Sequence, residues 1–366
     1  MVRVVVFVDV DVVVIGAGQA GLSAAYHLVR LGFAPYDGVV VLDRNAEPGG
    51  AWQHRWPSLT MRDVHGIADL PGLQVPSAAD GERANEFVPA YLADYERQYE
   101  LPVVRPVAVS EVRDRADGRL DVVTDAGTWV ARAIVNATGT WDRPFVPWYP
   151  GIETFAGRQL HTAEYRGPEE FAGRHVVVVG GGASAVQLLA EISEVASTTW
   201  VTRRPPVWRT GEDFGPEQGR AAVAMVDERV RAGLPPRSVV SVTGLHLREQ
   251  EQAAAARGVY DRHPMFARIV PDGVEWPDGT RQRADVILWA TGFRADLAHL
   301  APLGLRERAG GIRMDGTRAV RDPRVQLVGY GPSASTIGAN RAGRAAAVAV
   351  RAFRRAGAPA DSSTAA

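Results

Sequence analysis

Two glycine-rich turns are the residues of this 366-residue sequence whose spacing is most suited to chemistry. The first consists of Gly16, Ala17, Gly18, Gln19, Ala20 and Gly21. The second consists of Gly180, Gly181, Gly182, Ala183, Ser184 and Ala185. Each has the GxGxxG/A spacing that lets backbone amides at a helix start approach a pyrophosphate, and alanine is small enough for the third position. The sequence therefore predicts two dinucleotide sites.

The residue that ends the second strand of such a unit indicates which dinucleotide binds. In the first unit it is Asp43, followed by Arg44, and a carboxylate there suits free ribose hydroxyls and repels a 2′-phosphate. In the second unit Arg203 and Arg204 take this place, and guanidinium groups suit a 2′-phosphate. We therefore expect FAD on the first unit and NADPH on the second. A solvated arginine pair is the alternative interpretation, and NADH stays open as a second coenzyme.

Composition excludes several kinds of chemistry. There is no cysteine, so disulfides, thiolate metal sites and dithiol redox are absent, and no histidine spacing indicates a metal site. The formal net charge of −1 gives no reason to expect binding to nucleic acid or to an anionic membrane. The apolar opening segment is interrupted by Asp9 and Asp11, which favours a buried strand over a signal peptide or a membrane span. We expect a cytoplasmic protein.

The flanking elements repeat in the same order. Each turn lies between an apolar strand and a helix, and each unit has a later strand that ends in Ala-Thr-Gly. These tips are Ala137, Thr138 and Gly139 in the first unit and Ala290, Thr291 and Gly292 in the second. Their small residues let backbone approach a cofactor closely, so we predict contacts at both tips.

The repeat predicts an α/β fold of two Rossmann-type dinucleotide-binding domains, the second inserted into the first. We expect an FAD-binding domain over 1–148 and 285–366 and an NADPH-binding domain over 149–284. Proline-rich linkers are predicted around 144–150 and at Pro277 to Gly279. Residues 359–366 are expected to form a disordered tail.

Three motifs then resemble the class B flavin-containing monooxygenases, above all the small bacterial members. Phe155 to Tyr165 fits FxGxxxHxxx(Y/F), Gly49-Gly50-Ala51-Trp52 resembles the family's GGxW flavin turn, and Ala290 to Phe293 resembles its ATGF strand tip. The likeness covers about residues 10–355. It implies flavin contacts by Gly50, Ala51 and Trp52. It also implies that His161 supports the domain junction and NADP binding, and a catalytic role for His161 stays open.

The resemblance further implies the reaction. NADPH reduces FAD, and reduced flavin captures O₂ as a C4a-(hydro)peroxyflavin. That species passes one oxygen atom to a small sulfur or nitrogen nucleophile or, in the Baeyer–Villiger manner, to a ketone. The cofactor carries this chemistry, which suits a sequence with no evident acid/base dyad. The partners implied are therefore O₂ and a small-molecule substrate.

The sequence also departs from the family pattern. Larger members place an asparagine shortly after the GGxW turn, where it helps to hold the peroxyflavin, and there is none between Trp52 and Ala84. Tyr165-Arg166 replaces the Trp-Pro or Trp-Asp of dedicated Baeyer–Villiger enzymes. Two other functions stay open, a flavin reductase that passes electrons to a carrier and a flavin-binding sensor. The physiological substrate and the oligomeric state, a homodimer included, stay open as well.

Overall fold

Two sheets with parallel central strands form the frame of the chain, and each carries a glycine-rich turn that leads into a helix. The computed structural model describes residues 7–64, 66–209, 216–236, 244–247 and 249–356, so the expected tail lies outside the described residues. The α-helices are α1 (Gln19–Arg30), α2 (Ala84–Gln98), α3 (Ala183–Ile192), α4 (Pro216–Arg231), α5 (Glu249–Ala256) and α6 (Thr336–Ala356). In the part of the chain that the structure describes, no helix combines the length and apolarity needed to cross a bilayer.

The strands belong to one large sheet, one sheet of five strands and two small ones. They are β1 (Phe7–Ile15), β2 (Val39–Leu42), β3 (Val103–Val104), β4 (Val109–Asp114), β5 (Leu120–Thr124), β6 (Thr128–Asn136), β7 (Arg158–His161), β8 (His175–Val179), β9 (Ser197–Val201), β10 (Trp208–Arg209), β11 (Leu245–His246), β12 (Arg262–His263), β13 (Arg268–Val270), β14 (Gly273–Glu275), β15 (Arg281–Arg283), β16 (Val286–Trp289), β17 (Met314–Asp315), β18 (Arg318–Ala319) and β19 (Asp322–Leu327). Short 3₁₀ segments are Gly50–His54, Ile152–Thr154, Thr162–Glu164, Pro168–Phe171, Ala298–Leu303 and Gly331–Ser333.

The first sheet has the strand order β17-β18-β19-β6-β1-β2-β3, with β5 also paired to β6 and β4 to β5. Its central strands are apolar where both of their faces are covered, as in residues 12–15 of β1, which is usual for parallel strands. α1, α2 and α6 pack on one face. The β4–β5 hairpin and the 3₁₀ segment Ala298–Leu303 pack on the other. This sheet carries the first glycine turn at the carboxyl end of β1.

The second sheet has the order β12-β9-β8-β16-β7 and carries the second turn at the end of β8. This pairing corrects the predicted domain boundary at 284/285. β16 (Val286–Trp289) bonds to β7 and β8, so the second module continues at least to Trp289. The expected linker at Pro277–Gly279 is instead the turn of the β14–β15 hairpin. The remainder of the division into an FAD and an NADPH domain stays a prediction.

The two modules repeat the same backbone hydrogen bonds around their turns. Gly16 N donates to the last residue of β2 (2.8 Å), and Ala137 N donates to the last residue of β1 (2.8 Å). Gly180 N donates to the last residue of β9 (2.9 Å), and Ala290 N donates to the last residue of β8 (2.8 Å). In each module, the glycine turn is therefore held by the second strand of the unit, and the Ala-Thr-Gly tip is held by the first strand. Together with the parallel central strands of the two sheets, this bears out the predicted pair of Rossmann-type units.

Candidate cofactor and active site

A single cavity of about 1120 Å³ opens on both modules at the carboxyl ends of their strands. This is where open α/β sheets bind ligands, and the volume exceeds the ~300–1,000 Å³ usual for one small-molecule pocket. Most of the predicted site residues lie on its wall. They are Gly16, Gly18, Gln19, Asp43, Arg44, Gly50, Ala51, Trp52, Ala137, Thr138, Gly139, Gly180, Gly182, Ala183, Ser184, Arg203, Arg204, Ala290, Thr291 and Gly292. Folding thus brings residues from distant parts of the sequence to one space.

Three predicted contact residues lie behind this wall. Ala17 is fully buried, and its amide donates to Asp43 Oδ2 at 2.6 Å. Gly21 packs under the turn, and Ala185 is fully buried in α3. Their small side chains allow the turn and the helix to pack closely, and they present no surface to the cavity.

The glycine positions test whether the turns fit a dinucleotide. A Cβ added at Gly16 would lie 2.7 Å from Ala137 O, and one at Gly21 would lie 1.9 Å from Gly16 O, so these two positions are closed by the protein itself. At Gly18 such a Cβ meets nothing within 4 Å. The first and third glycines therefore serve packing, while the second faces the open cavity, as a turn that admits a pyrophosphate requires.

The second turn has the same arrangement. A Cβ at Gly180 would lie 2.1 Å from Ala290 O, whereas one at Gly182 meets nothing within 4 Å. Neither helix start carries a side-chain cap, since the N-cap residues are Gly18 and Gly182. The first amides of α1 and α3 therefore point past the helix ends, where the helix dipole also favours an anion. Both turns fit the phosphate groups of a dinucleotide.

Asp43 is buried, and both oxygens of its carboxylate accept hydrogen bonds from backbone amides. Oδ2 accepts from Ala17 N at 2.6 Å, while Oδ1 accepts from Asn45 N at 2.8 Å and from Asn45 Nδ2 at 2.9 Å. Asn45 Oδ1 in turn lies 2.8 Å from His54 Nε2, and burial followed by the charge of Arg44 lowers the pKa of His54. A neutral His54 can therefore donate to Asn45. Asn45 and His54 also lie on the cavity wall, and no pattern in the sequence indicated them.

Arg203 and Arg204 are exposed and follow β9 at the cavity wall. Within the described ranges, no hydrogen bond or ion pair engages either guanidinium group. A third arginine supports this corner, because Arg262 Nε donates to Thr202 Oγ1 at 2.8 Å and Thr202 Oγ1 donates to Arg204 O at 2.6 Å. The sequence did not indicate Arg262, which only the pairing of β12 with β9 brings here.

His161 lies beside the cavity at the junction of the modules. Its Nδ1 accepts from Ala163 N at 3.1 Å, so Nε2 carries the proton and donates to Gly292 O at 3.0 Å. Burial lowers the pKa of His161, which favours this neutral form. The ring also contacts Phe293 edge-on, with centroids 4.9 Å apart. His161 therefore supports the second Ala-Thr-Gly tip in this structure.

An aromatic group joins the two tips, and the sequence did not single out its member Trp141. Trp141 follows the first tip and stacks on Phe293, which follows the second, with centroids 5.0 Å apart. Trp52 and Arg55 complete this part of the wall, and the Arg55 guanidinium lies over both Trp52 and Trp141. An aromatic residue within two positions after each Ala-Thr-Gly is the sequence signal that could have indicated this stacked pair.

The geometry agrees with comparisons to known proteins. Residues 13–217, more than half of the chain, match the family described as pyridine nucleotide-disulphide oxidoreductase. A flavin-containing monooxygenase from Stenotrophomonas maltophilia is 41% identical, with 95% of this chain and 99% of that chain covered and a TM-score of 0.81. The chain belongs to the flavin-containing monooxygenases within that oxidoreductase family.

More distant relatives have similar descriptions. An uncharacterized CzcO-like oxidoreductase of Geobacillus kaustophilus is 26% identical over 85% of this chain and 89% of its own length. A Baeyer-Villiger monooxygenase of Streptomyces coelicolor is 32% identical over 54% of this chain and 38% of its own length. The chain is accordingly an FAD-dependent oxidoreductase of the monooxygenase type that uses FAD and NAD(P)H, and the predicted family and cofactor classes are confirmed.

Proposed function

We propose that this protein is an NADPH-dependent flavin monooxygenase that transfers one oxygen atom from O₂ to a small soft nucleophile, at sulfur or nitrogen. The observation that carries the proposal is the single cavity onto which both glycine turns open. A reductase for a carrier protein needs only sequential access to its flavin, whereas oxygen transfer needs coenzyme, flavin and substrate in one enclosed space. When bound and reduced, FAD would supply the oxygenating C4a-(hydro)peroxyflavin.

Each part of the wall then has a proposed role. The amides around Gly18 bind the FAD pyrophosphate and Asp43 positions its adenosine ribose, while the amides around Gly182 bind the coenzyme pyrophosphate. Arg203 and Arg204 hold the 2′-phosphate that distinguishes NADPH from NADH. His161 holds the second Ala-Thr-Gly tip in place through its bond to Gly292 O.

The aromatic group would exclude water from the reacting centre. Trp52, Trp141 and Phe293 present ring faces or edges between the two tips, and an apolar wall protects a reactive oxygen species from hydrolysis. Ketone oxygenation is a secondary proposal, which the name of the Streptomyces coelicolor relative supports.

The deciding experiment is turnover under ¹⁸O₂ with NADPH and methyl phenyl sulfide, followed by mass spectrometry of the product. We expect one ¹⁸O atom in the sulfoxide and NADPH consumption matched to product. NADPH oxidation that yields only hydrogen peroxide with a panel of sulfides, amines and ketones, and that a redox carrier accelerates, would replace the proposal with the reductase function. Retained FAD with negligible NADPH oxidation would favour a sensor.

A further inference from the structure

The guanidinium group of Arg55 lies on the cavity wall. Arg55 follows the 3₁₀ segment Gly50–His54, and its Nε is buried without a hydrogen-bond partner. Across the ranges that the structure describes, no acidic side chain pairs with it. Burial lowers its pKa to about 10, which leaves the guanidinium charged at neutral pH. A half-buried guanidinium whose Nε has no hydrogen-bond partner is unfavourable, so Arg55 points to an anion that arrives with a ligand.

The rings around Arg55 contact the faces of its guanidinium group but leave the N–H groups at its edges without acceptors. The Cζ atom lies 4.7 Å from the centroid of the Trp141 ring and 5.4 Å from that of Trp52. Ring faces attract the charge of a guanidinium, yet they accept none of its N–H groups in a normal hydrogen bond. The planar N–H fork of arginine matches the paired oxygens of a phosphate or a carboxylate.

The place of Arg55 in the fold limits which ligands can reach it. Trp52 belongs to the turn whose Gly50 packs against Gly18, since a Cβ on Gly50 would lie 2.9 Å from Gly18 Cα. Trp141 stacks on Phe293 of the second module. Arg55 therefore lies on the wall between the two glycine turns, where ligands bound to the two modules would come together.

We propose that Arg55 binds an oxyanion of a ligand at this boundary between the modules. The shared chemistry is a pair of anionic oxygens, provided by a phosphate of FAD or of the nicotinamide coenzyme, or by a carboxylate on the substrate. The first two sources need only dinucleotide binding. The third rests on the proposed function, because it assumes that a small oxidisable molecule enters the cavity.

Three variants of the FAD-loaded protein test this role of Arg55. Arg55→Met removes the charge and keeps an unbranched apolar stem between the tryptophans. Arg55→Lys keeps the charge and removes the planar fork. Arg294→Met is the matched control, because the Arg294 guanidinium lies 3.9 Å from the centroid of the Phe145 ring but the residue is exposed and is not part of the cavity wall.

Each source has its own binding measurement, and none requires turnover. FAD affinity is followed by flavin fluorescence on dilution, and coenzyme affinity by titration with NADP⁺ against flavin absorbance. Substrate affinity is followed by titration with 4-(methylthio)benzoate and with its methyl ester. In Arg55→Met we expect one of these affinities to fall by about tenfold or more, the size of one charge-assisted contact. A substrate source weakens the benzoate and spares the ester.

Arg55→Lys should recover part of the loss in that same measurement, and Arg294→Met should stay within twofold of wild type in all of them. Affinities within twofold of wild type in every titration of Arg55→Met would overturn the proposal and leave Arg55 a packing residue. Should Arg55→Met not fold, Arg55→Lys decides alone, with a loss of threefold or more expected in one titration and unchanged values refuting it. Failure of the proposed function would appear separately, as absent ¹⁸O transfer by wild type.

Discussion

Substitution of Gly18 by valine tests the first cofactor site without touching the protein core. Gly18 has φ −81° and ψ −178°, an extended conformation that valine adopts readily. A Cβ there meets no protein atom within 4 Å. The variant should therefore fold with wild-type thermal stability of its FAD-free form, while its side chain occupies the space in which a pyrophosphate would approach the helix start.

The expected loss follows from the amides at that helix start. Leu22 N is bonded to Gly18 O at 2.9 Å, so the amides that precede Leu22 in the first turn have no acceptor from the helix itself. Displacing the phosphate costs at least two charge-assisted hydrogen bonds at about 1.5–3 kcal/mol each, or about 3–6 kcal/mol. Since ~1.4 kcal/mol is tenfold, FAD affinity should fall by roughly 10²- to 10⁴-fold.

The assay is the ratio of flavin to protein absorbance after gel filtration, followed by FAD titration monitored by fluorescence. Gly182→Val is the matched control, because a Cβ at Gly182 also meets nothing within 4 Å. It should stay yellow and lose NADP⁺ affinity instead. Gly21→Ala should destabilise the fold, since its Cβ would lie 1.9 Å from Gly16 O. Wild-type FAD retention by Gly18→Val would refute the assignment of this turn.

Three further predictions concern coenzyme, oxygen chemistry and pH. The kcat/KM for NADPH should exceed that for NADH by at least about tenfold. Arg203→Gln or Arg204→Gln should reduce this ratio only by weakening NADPH binding. Equal efficiencies with both coenzymes in wild type would show that these arginines are a solvated pair. In stopped-flow oxidation of the reduced enzyme, the oxygenating flavin species should decay faster without bound NADP⁺, because this chain lacks the asparagine that larger family members place after the GGxW turn. Equal decay rates with and without NADP⁺ would show that NADP⁺ has no protective role. Burial lowers the pKa of His299, whose Nε2 lies 2.6 Å from Asn136 Oδ1. The unfolded chain therefore takes up the proton first, so the unfolding free energy should fall as pH drops below ~6.5. In urea titrations at pH 7.5 and 5.5, His299→Gln should lose less stability between the two pH values than wild type, and an equal loss would contradict this origin.

Local sequence was enough to find the two glycine turns and the two Ala-Thr-Gly tips of the cavity wall. A strand, a glycine turn and a helix are contiguous in the chain, so the backbone geometry at Gly18 and Gly182 follows from short-range steric preferences. The two Ala-Thr-Gly tips were found in the same way, from repetition of a local pattern.

The residues that the sequence did not indicate depend on long-range packing. Arg262 reaches Thr202 only because β12 pairs with β9. The domain boundary at 284 was wrong because β16 closes the second sheet, and an apolar run by itself does not say which sheet it joins.

By itself, the sequence determined the fold class, the two cofactor classes and the residues of both turns. These are properties of short segments whose conformation is set by their own backbone sterics. Only the tertiary structure decided that both turns open on one cavity and that Arg55 lies between Trp52 and Trp141, with no acidic partner among the described residues. Burial and the pairing of charges depend on the approach of distant segments, and no local pattern encodes which segments meet.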